Sequence, residues 1–201
     1  DAWEGQEDFT CIPYPFGKYD VVILPGFQYV GMEHTASTLY TERRMFLDDH
    51  PTVNERFSRS SLIAHETSHM WFGDYVTMKW FDDVWTKEVF ANYFASRIVE
   101  PLYPDVNHRL NFIRDYIPAS YSEDRTSGAN PIKQDLDNLR NAGLVYGNII
   151  YDKSPVIMEM LVHVLGDDAF QQGISEYLTT YAYGNATWEG LIRISNKYTD
   201  E

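Results

Sequence analysis

Two histidines four positions apart, with a glutamate directly after the first, stand in the stretch HETSH as His65, Glu66 and His69. On a helix, positions i and i+4 share a face. Both imidazoles can then reach one divalent cation while Glu66 overlooks its open coordination position. Neutral imidazole suits zinc, and a catalytic zinc site takes three protein ligands and keeps the fourth position for water. Glu88 follows with eighteen residues between it and His69. A turn around 80–83 would bring its helix back antiparallel and aim the carboxylate at the same ion. His65, His69 and Glu88 are therefore the expected ligands of one Zn2+ per chain, with Glu66 as the base that activates water. The pentapeptide alone arises by chance on solvated helix faces. Here Ile63, Ala64, Met70, Trp71 and Phe72 surround it, and Val84, Trp85, Val89 and Phe90 surround Glu88, so both are expected to be buried. Asn92 and Asp83 are candidate outer partners for the imidazoles; a solvated face or a helix cap accounts for each equally well.

Positioning these groups requires two helices. Thr52 followed by Glu55 has the form of a capping box and predicts a helix from 53 to about 75. A second is predicted over 84–99, stopped by Pro101. Upstream, 18–25 and 27–33 are rich in β-branched and aromatic residues and read as strands joined by a turn at Pro25-Gly26, with a third strand over 37–42. Downstream, a helix is predicted over 105–121, ending near Pro118, and then a long polar loop over 122–148. Helices close the chain, with Pro155 in the first turn of one, Gly166-Asp167 ending it, and Thr187 capping the last. Strands first and helices after predict an α+β fold, β-rich over 1–50 and helical over 51–201, with no doubly wound sheet.

A chain of 201 residues with 44% apolar side chains can bury one sizeable core. A formal charge of −14 argues against nucleic acid. It suits a cationic partner, such as the free amino end of a peptide, although solubility alone also accounts for it. Cys11 stands alone, which excludes an internal disulfide and a multi-cysteine zinc site. No apolar run is long enough for a membrane span. The opening DAWEGQEDF is acidic and lacks a basic-then-apolar leader, so the compartment is not read from it. A mature form or an excised piece is expected from a start without Met.

With these residues placed, the chain resembles the aminopeptidase N family of gluzincin zinc metallopeptidases. The likeness runs through YPFGKYDVVILPGFQYVGMEH (14–34), HETSHMWFGDYVT (65–77), WFDDVWTKEVFANY (80–93) and IIYDKSPVIMEML (149–161), in that family's order and spacing. The resemblance implies a thermolysin-like catalytic domain, with a small N-terminal sheet and a mostly helical half bearing HExxH. It implies hydrolysis of the N-terminal peptide bond by zinc-activated water. Glu33 would bind the substrate's α-ammonium, and Gly31 and Met32 would line the pocket for the first side chain. Tyr151 would donate its hydroxyl to the developing oxyanion. Without the resemblance, Glu33 reads as a solvated strand residue and Tyr151 as a core tyrosine. The sequence departs from the family pattern at His34, where asparagine is usual and which would still donate to substrate backbone. It departs also at Val30, Val89 and Ser154, where glycine is usual. Expected partners are peptides with a free N-terminus, and the N- and C-terminal domains that complete enzymes of this family carry. The alternative is a non-catalytic relative serving as a protein-interaction scaffold.

Overall fold

The computed structural model describes residues 2–199, with the backbone alone at 144 and 145. The chain opens with helix α1 (Ala2–Thr10), which its sequence does not advertise. Its few apolar residues acquire meaning only against distant partners: Phe9 packs edge-on against Phe94 at 5.0 Å, and buried Gln6 lies 3.4 Å from Ser68 Oγ. The expected β-rich first fifty residues therefore begin with a helix.

Strands β1 (Asp20–Leu24), β2 (Gly31–Met32) and β3 (Ser37–Thr41) form the small sheet, in the order β1-β3-β2. The turn at Pro25-Gly26 forms, with Gly26 at φ 67°, but it does not make a hairpin. β3 inserts between the two strands, pairing parallel with β1 and antiparallel with β2. The predicted strand over 27–33 shrinks to two residues because Tyr29 and Val30 stand exposed beside the cleft described below. In β3 burial alternates, with Thr38 and Tyr40 turned inward, as a strand with one covered face requires.

After a helical turn, α2 (Glu42–Met45), comes α3 (Val53–Ser68). The capping box forms as predicted: Thr52 Oγ1 accepts from Glu55 N, and Thr52 N donates to Glu55 Oε2 at 2.8 Å. The helix ends seven residues earlier than predicted. His69 caps it, and the chain turns at Gly73, whose φ of 134° and closeness to His69 suit no other residue well. The short strand β4 (Val76–Met78) and a 3-10 turn (Phe81–Asp83) lead into α4 (Trp85–Val99), within a residue of the predicted start. α4 is apolar around most of its circumference and is buried accordingly, with Val89, Phe90, Ala91, Phe94 and Val99 all inside.

α5 (His108–Asp124) runs through Pro118, which was expected to end it. The proline removes one donor from the ladder, and the helix nonetheless continues for six more residues. A largely irregular stretch carrying a 3-10 turn (Leu139–Asn141) and the helical turn α6 (Ala142–Val145) follows, close to the predicted loop. A π-helical turn (Ile149–Lys153) feeds α7 (Ser154–Leu165), with Pro155 in its first turn and Gly166 ending it. α8 (Asp167–Thr180), β5 (Gly184–Ala186) and α9 (Trp188–Ser195), capped by Thr187, complete the fold. β5 pairs parallel with β4. The result is mixed α+β, mostly helical with a small sheet. α3 and α4 pack most extensively against each other. Met70, Trp71, Phe72, Phe90, Phe94, Phe170, Ile174 and Leu178 form the core beneath them. No helix among the described residues is long and apolar enough to cross a membrane.

Candidate metal centre and cleft

The last turn of α3 and the first turn of α4 deliver three donor atoms to one point. His65 Nε2 and His69 Nε2 lie 3.1 Å apart, and each is 3.6 Å from Glu88 Oε2. Ligands in a tetrahedron about 2.05 Å from a zinc ion are separated by roughly 3.3 Å, so the triangle has the size of one face of such a site. Glu88 and His69 are buried and His65 nearly so. The donor set is therefore one that zinc would satisfy.

Outer partners orient the imidazoles. His69 Nδ1 lies 3.0 Å from the Phe72 carbonyl, which can only accept, so a proton sits on Nδ1 and Nε2 faces Glu88. Asn92, one candidate outer partner, lines the same cleft as His65 and favours its protonated form. Asp83 does not join the site. Its carboxylate accepts from Trp188 N at 3.3 Å and pairs with Lys133 at 3.5 Å, tying α9 to the start of α4.

Without a cation the cluster is an ion pair among buried groups. Burial opposes charge on His69, but Glu88 and Glu33 overcome it and raise its pKa to about 9. Burial likewise opposes charge on Glu88, yet His69, Lys87 and His65 bring it down to about 2. His65, with burial and the neighbouring His69 both against a second proton, falls to about 4. Glu66 goes the other way. Burial, with Glu33 and Glu88 adding repulsion, lifts it to about 8 against the pull of His69 and Lys87. Its Oε2 is buried and has no hydrogen-bond partner among the described residues.

Gly31 explains how Glu66 fits there. A Cβ built at Gly31 would overlap the Glu66 carboxyl group, so only glycine lets β2 pass this close to α3. Gly31, expected to line a side-chain pocket, has a packing role against Glu66. Gly31, Met32 and Glu33 all border the same cleft as the histidines, a cavity of about 930 Å³ that also touches Tyr146 and Tyr151. His34 is not brought to it. It is exposed, absent from the cleft wall, and its carbonyl accepts from Ser37 N at 2.8 Å.

Tyr151 sits on the π-helical turn, 39% exposed, with its ring 6.2 Å from that of Tyr146. Burial, followed by the Glu88 carboxylate, raises its hydroxyl pKa, so it keeps its proton at neutral pH. Two residues of the cleft wall, Tyr146 and Lys87, and Asp74 outside it escape the sequence reading. Tyr146 has no periodic or motif signal. Asp74, whose Oδ1 accepts from Thr35 Oγ1 at 2.9 Å, is lifted to about 6 by burial. Lys87 precedes Glu88 in WTKE and ion-pairs with Glu33, fifty-four positions away.

The sequence profile of the peptidase family M1 domain matches residues 3–201. Similar proteins include probable aminopeptidase 2 of Sulfurisphaera tokodaii, 32% identical over 98% of this chain and 26% of that protein. The thyrotropin-releasing hormone-degrading ectoenzyme of Mus musculus is 32% identical over 98% of this chain and 19% of its own length. Leucyl aminopeptidase of Saccharolobus solfataricus is 30% identical over 94% of this chain and 24% of its own length. The chain thus spans about a quarter or less of these relatives.

Proposed function

We propose that this chain, which belongs to peptidase family M1, a family of zinc metallopeptidases, is the thermolysin-like catalytic domain of a zinc-dependent aminopeptidase. The observation that carries the proposal is the triangle of His65 Nε2, His69 Nε2 and Glu88 Oε2, with edges of 3.1, 3.6 and 3.6 Å, beside the buried Glu66 carboxyl. These three residues would hold the ion. When bound, zinc would supply Lewis acidity, polarising the scissile carbonyl and acidifying the attacking water.

The chain's own groups do the rest. Glu66 takes the proton of the attacking water and passes it to the leaving amine, a task its raised pKa suits. Tyr151 donates its hydroxyl to the carbonyl oxygen as negative charge develops there, a contribution of roughly 3 kcal/mol to the barrier. Glu33, ionised and held low by His69 and Lys87 against the opposing effect of burial, binds the α-ammonium of the first residue. Such an anchor confines cleavage to the N-terminal bond. Met32 and Gly31 border the space for the first side chain.

The same proposal extends to the length of the protein. Relatives four to five times longer, and apolar side chains exposed on α7 and α5, support further domains covering those faces. The decisive test is zinc content together with hydrolysis of aminoacyl-anilides by the full-length protein. One tightly held zinc and anilide hydrolysis that disappears with a chelator are expected. A folded full-length protein that is metal-free and inert would favour an interaction scaffold and end the peptidase reading.

A further inference from the structure

Lys87 lies one position before Glu88 on α4 and therefore about 100° around the helix from it. Its ammonium does not point to solvent. It ion-pairs with Glu33 Oε1 and lies 3.4 Å from Glu88 Oε1, with side-chain exposure of 17% for Lys87 and 15% for Glu33. Two carboxylates, Glu33 and Glu88, thus face this one ammonium. Both residues border the cleft.

A lysine head is a primary ammonium on a flexible four-carbon stem. It offers Glu33 the same charge and the same donors as the free amino end of a peptide. Two ammonium groups on one largely buried carboxylate repel each other, so both do not occupy the seat at full strength. Lys87 has somewhere to go, because Glu88 Oε1 already stands within reach.

We infer that Lys87 is a tethered competitor for the ammonium seat at Glu33, and that a peptide's free amino end binds by displacing it. The inference rests on the reading of Glu33 as the α-ammonium anchor. It makes Lys87 a determinant of affinity for free-amino ligands: their apparent dissociation constant is the intrinsic one divided by the fraction of molecules with the seat open.

The probes are leucine amide and N-acetyl-leucine amide, titrated calorimetrically into the metal-free and the zinc-loaded full-length protein. Lys87→Met keeps the length of the stem and removes the charge. It is expected to tighten leucine amide about tenfold and to leave the acetylated amide unmoved. A second measurement reads Lys87 itself. In full-length wild-type protein carrying 13Cε-lysine, saturating leucine amide should shift the Lys87 methylene resonance, assigned by its loss in K87M, and the acetylated amide should not. A folded K87M that binds leucine amide no tighter, or a Lys87 resonance that leucine amide leaves in place, overturns the competitor role. E33Q made in the K87M background separates the two ideas. If it binds leucine amide as tightly as K87M does, Glu33 is no anchor and both fall. If it binds more weakly while Lys87 fails its tests, only the competitor role falls. Leucine amide that binds none of these proteins overturns both.

Discussion

Glu66 is the residue on which the proposed chemistry turns. A general base must meet its proton donor without a competing partner, and the Glu66 Oε2 atom is buried and has none among the described residues. Glu66→Gln preserves size and the close fit against Gly31 but removes the basic oxygen. The full-length protein carrying it should keep its zinc and lose about 10³-fold in kcat; activity within tenfold of wild type would assign the proton transfer elsewhere. The histidines make a different prediction. In the metal-free cluster His69 holds its second proton up to pH about 9, because Glu88 and Glu33 outweigh burial, whereas His65 is neutral above pH about 4. A metal on His69 Nε2 must expel that proton. Zinc affinity should therefore rise with pH, by about tenfold per unit between pH 6 and 8, and level off above 9. Competition against a chelator of known pH behaviour measures this, and an affinity flat from pH 6 to 8 would contradict the assigned protonation.

At the scale of elements, the site is a junction of three short pieces. The last turn of α3 carries HETSH, the first turn of α4 carries Glu88, and β2 passes beneath Glu66. The helix ends here because Gly73, at φ 134°, turns the chain away and leaves His69 Nδ1 facing the Phe72 carbonyl. β2 approaches only because residue 31 has no side chain. Gly31→Ala should push Glu66 aside, costing roughly 1–3 kcal/mol of stability through overpacking and most of the activity. Gly17→Ala is the control, since a Cβ there meets nothing within 4 Å. Thermal unfolding and kcat for the pair decide the matter: a Gly31→Ala protein as stable and active as Gly17→Ala would show that the strand can retreat. The π-helical turn at Ile149–Lys153 plays the corresponding part for Tyr151, projecting it to the cleft while Ile149 and Ile150 anchor it in the core.

For the whole molecule, the exposed apolar side chains are the feature a lone domain explains least. Ile157, Met160 and Val164 are 39%, 60% and 58% exposed along one side of α7, and Leu110 and Ile113 are 56% and 43% exposed on α5. Contiguous apolar surface of this kind marks a contact or an association hazard. The 201-residue chain prepared by itself should therefore self-associate as its concentration rises, and the double change Met160→Lys, Val164→Glu should suppress that at least severalfold. Sedimentation at several concentrations would check it. A chain that stays monomeric throughout would remove the α7 face as support for covering domains.

What the sequence determined by itself is local. HETSH, the capping box at Thr52 and Glu55, the helix bearing Glu88, Pro155 in a first turn and Thr187 as a cap are all set by residues three or four positions apart. Spacing of that kind is read directly from a linear chain. Tertiary structure decided everything that joins distant residues. α1 exists because Phe9 meets Phe94 and Gln171 donates to the Phe9 carbonyl at 2.9 Å. β1 pairs with β3 and not with β2, so the turn at Pro25-Gly26 signals a reversal without a hairpin. α5 passes through Pro118, although the same residue marked a stop in sequence. Asp83 and His34 carried plausible chemistry, yet one went to α9 and the other to the surface. Lys87 has no periodic signal, because its meaning depends on Glu33, fifty-four positions away. The candidate metal ligands could be named before the fold was known, since helical geometry brings two of them together and burial makes the third plausible. The pairing of Lys87 with Glu33 could not, because only the fold brings those two distant charges face to face.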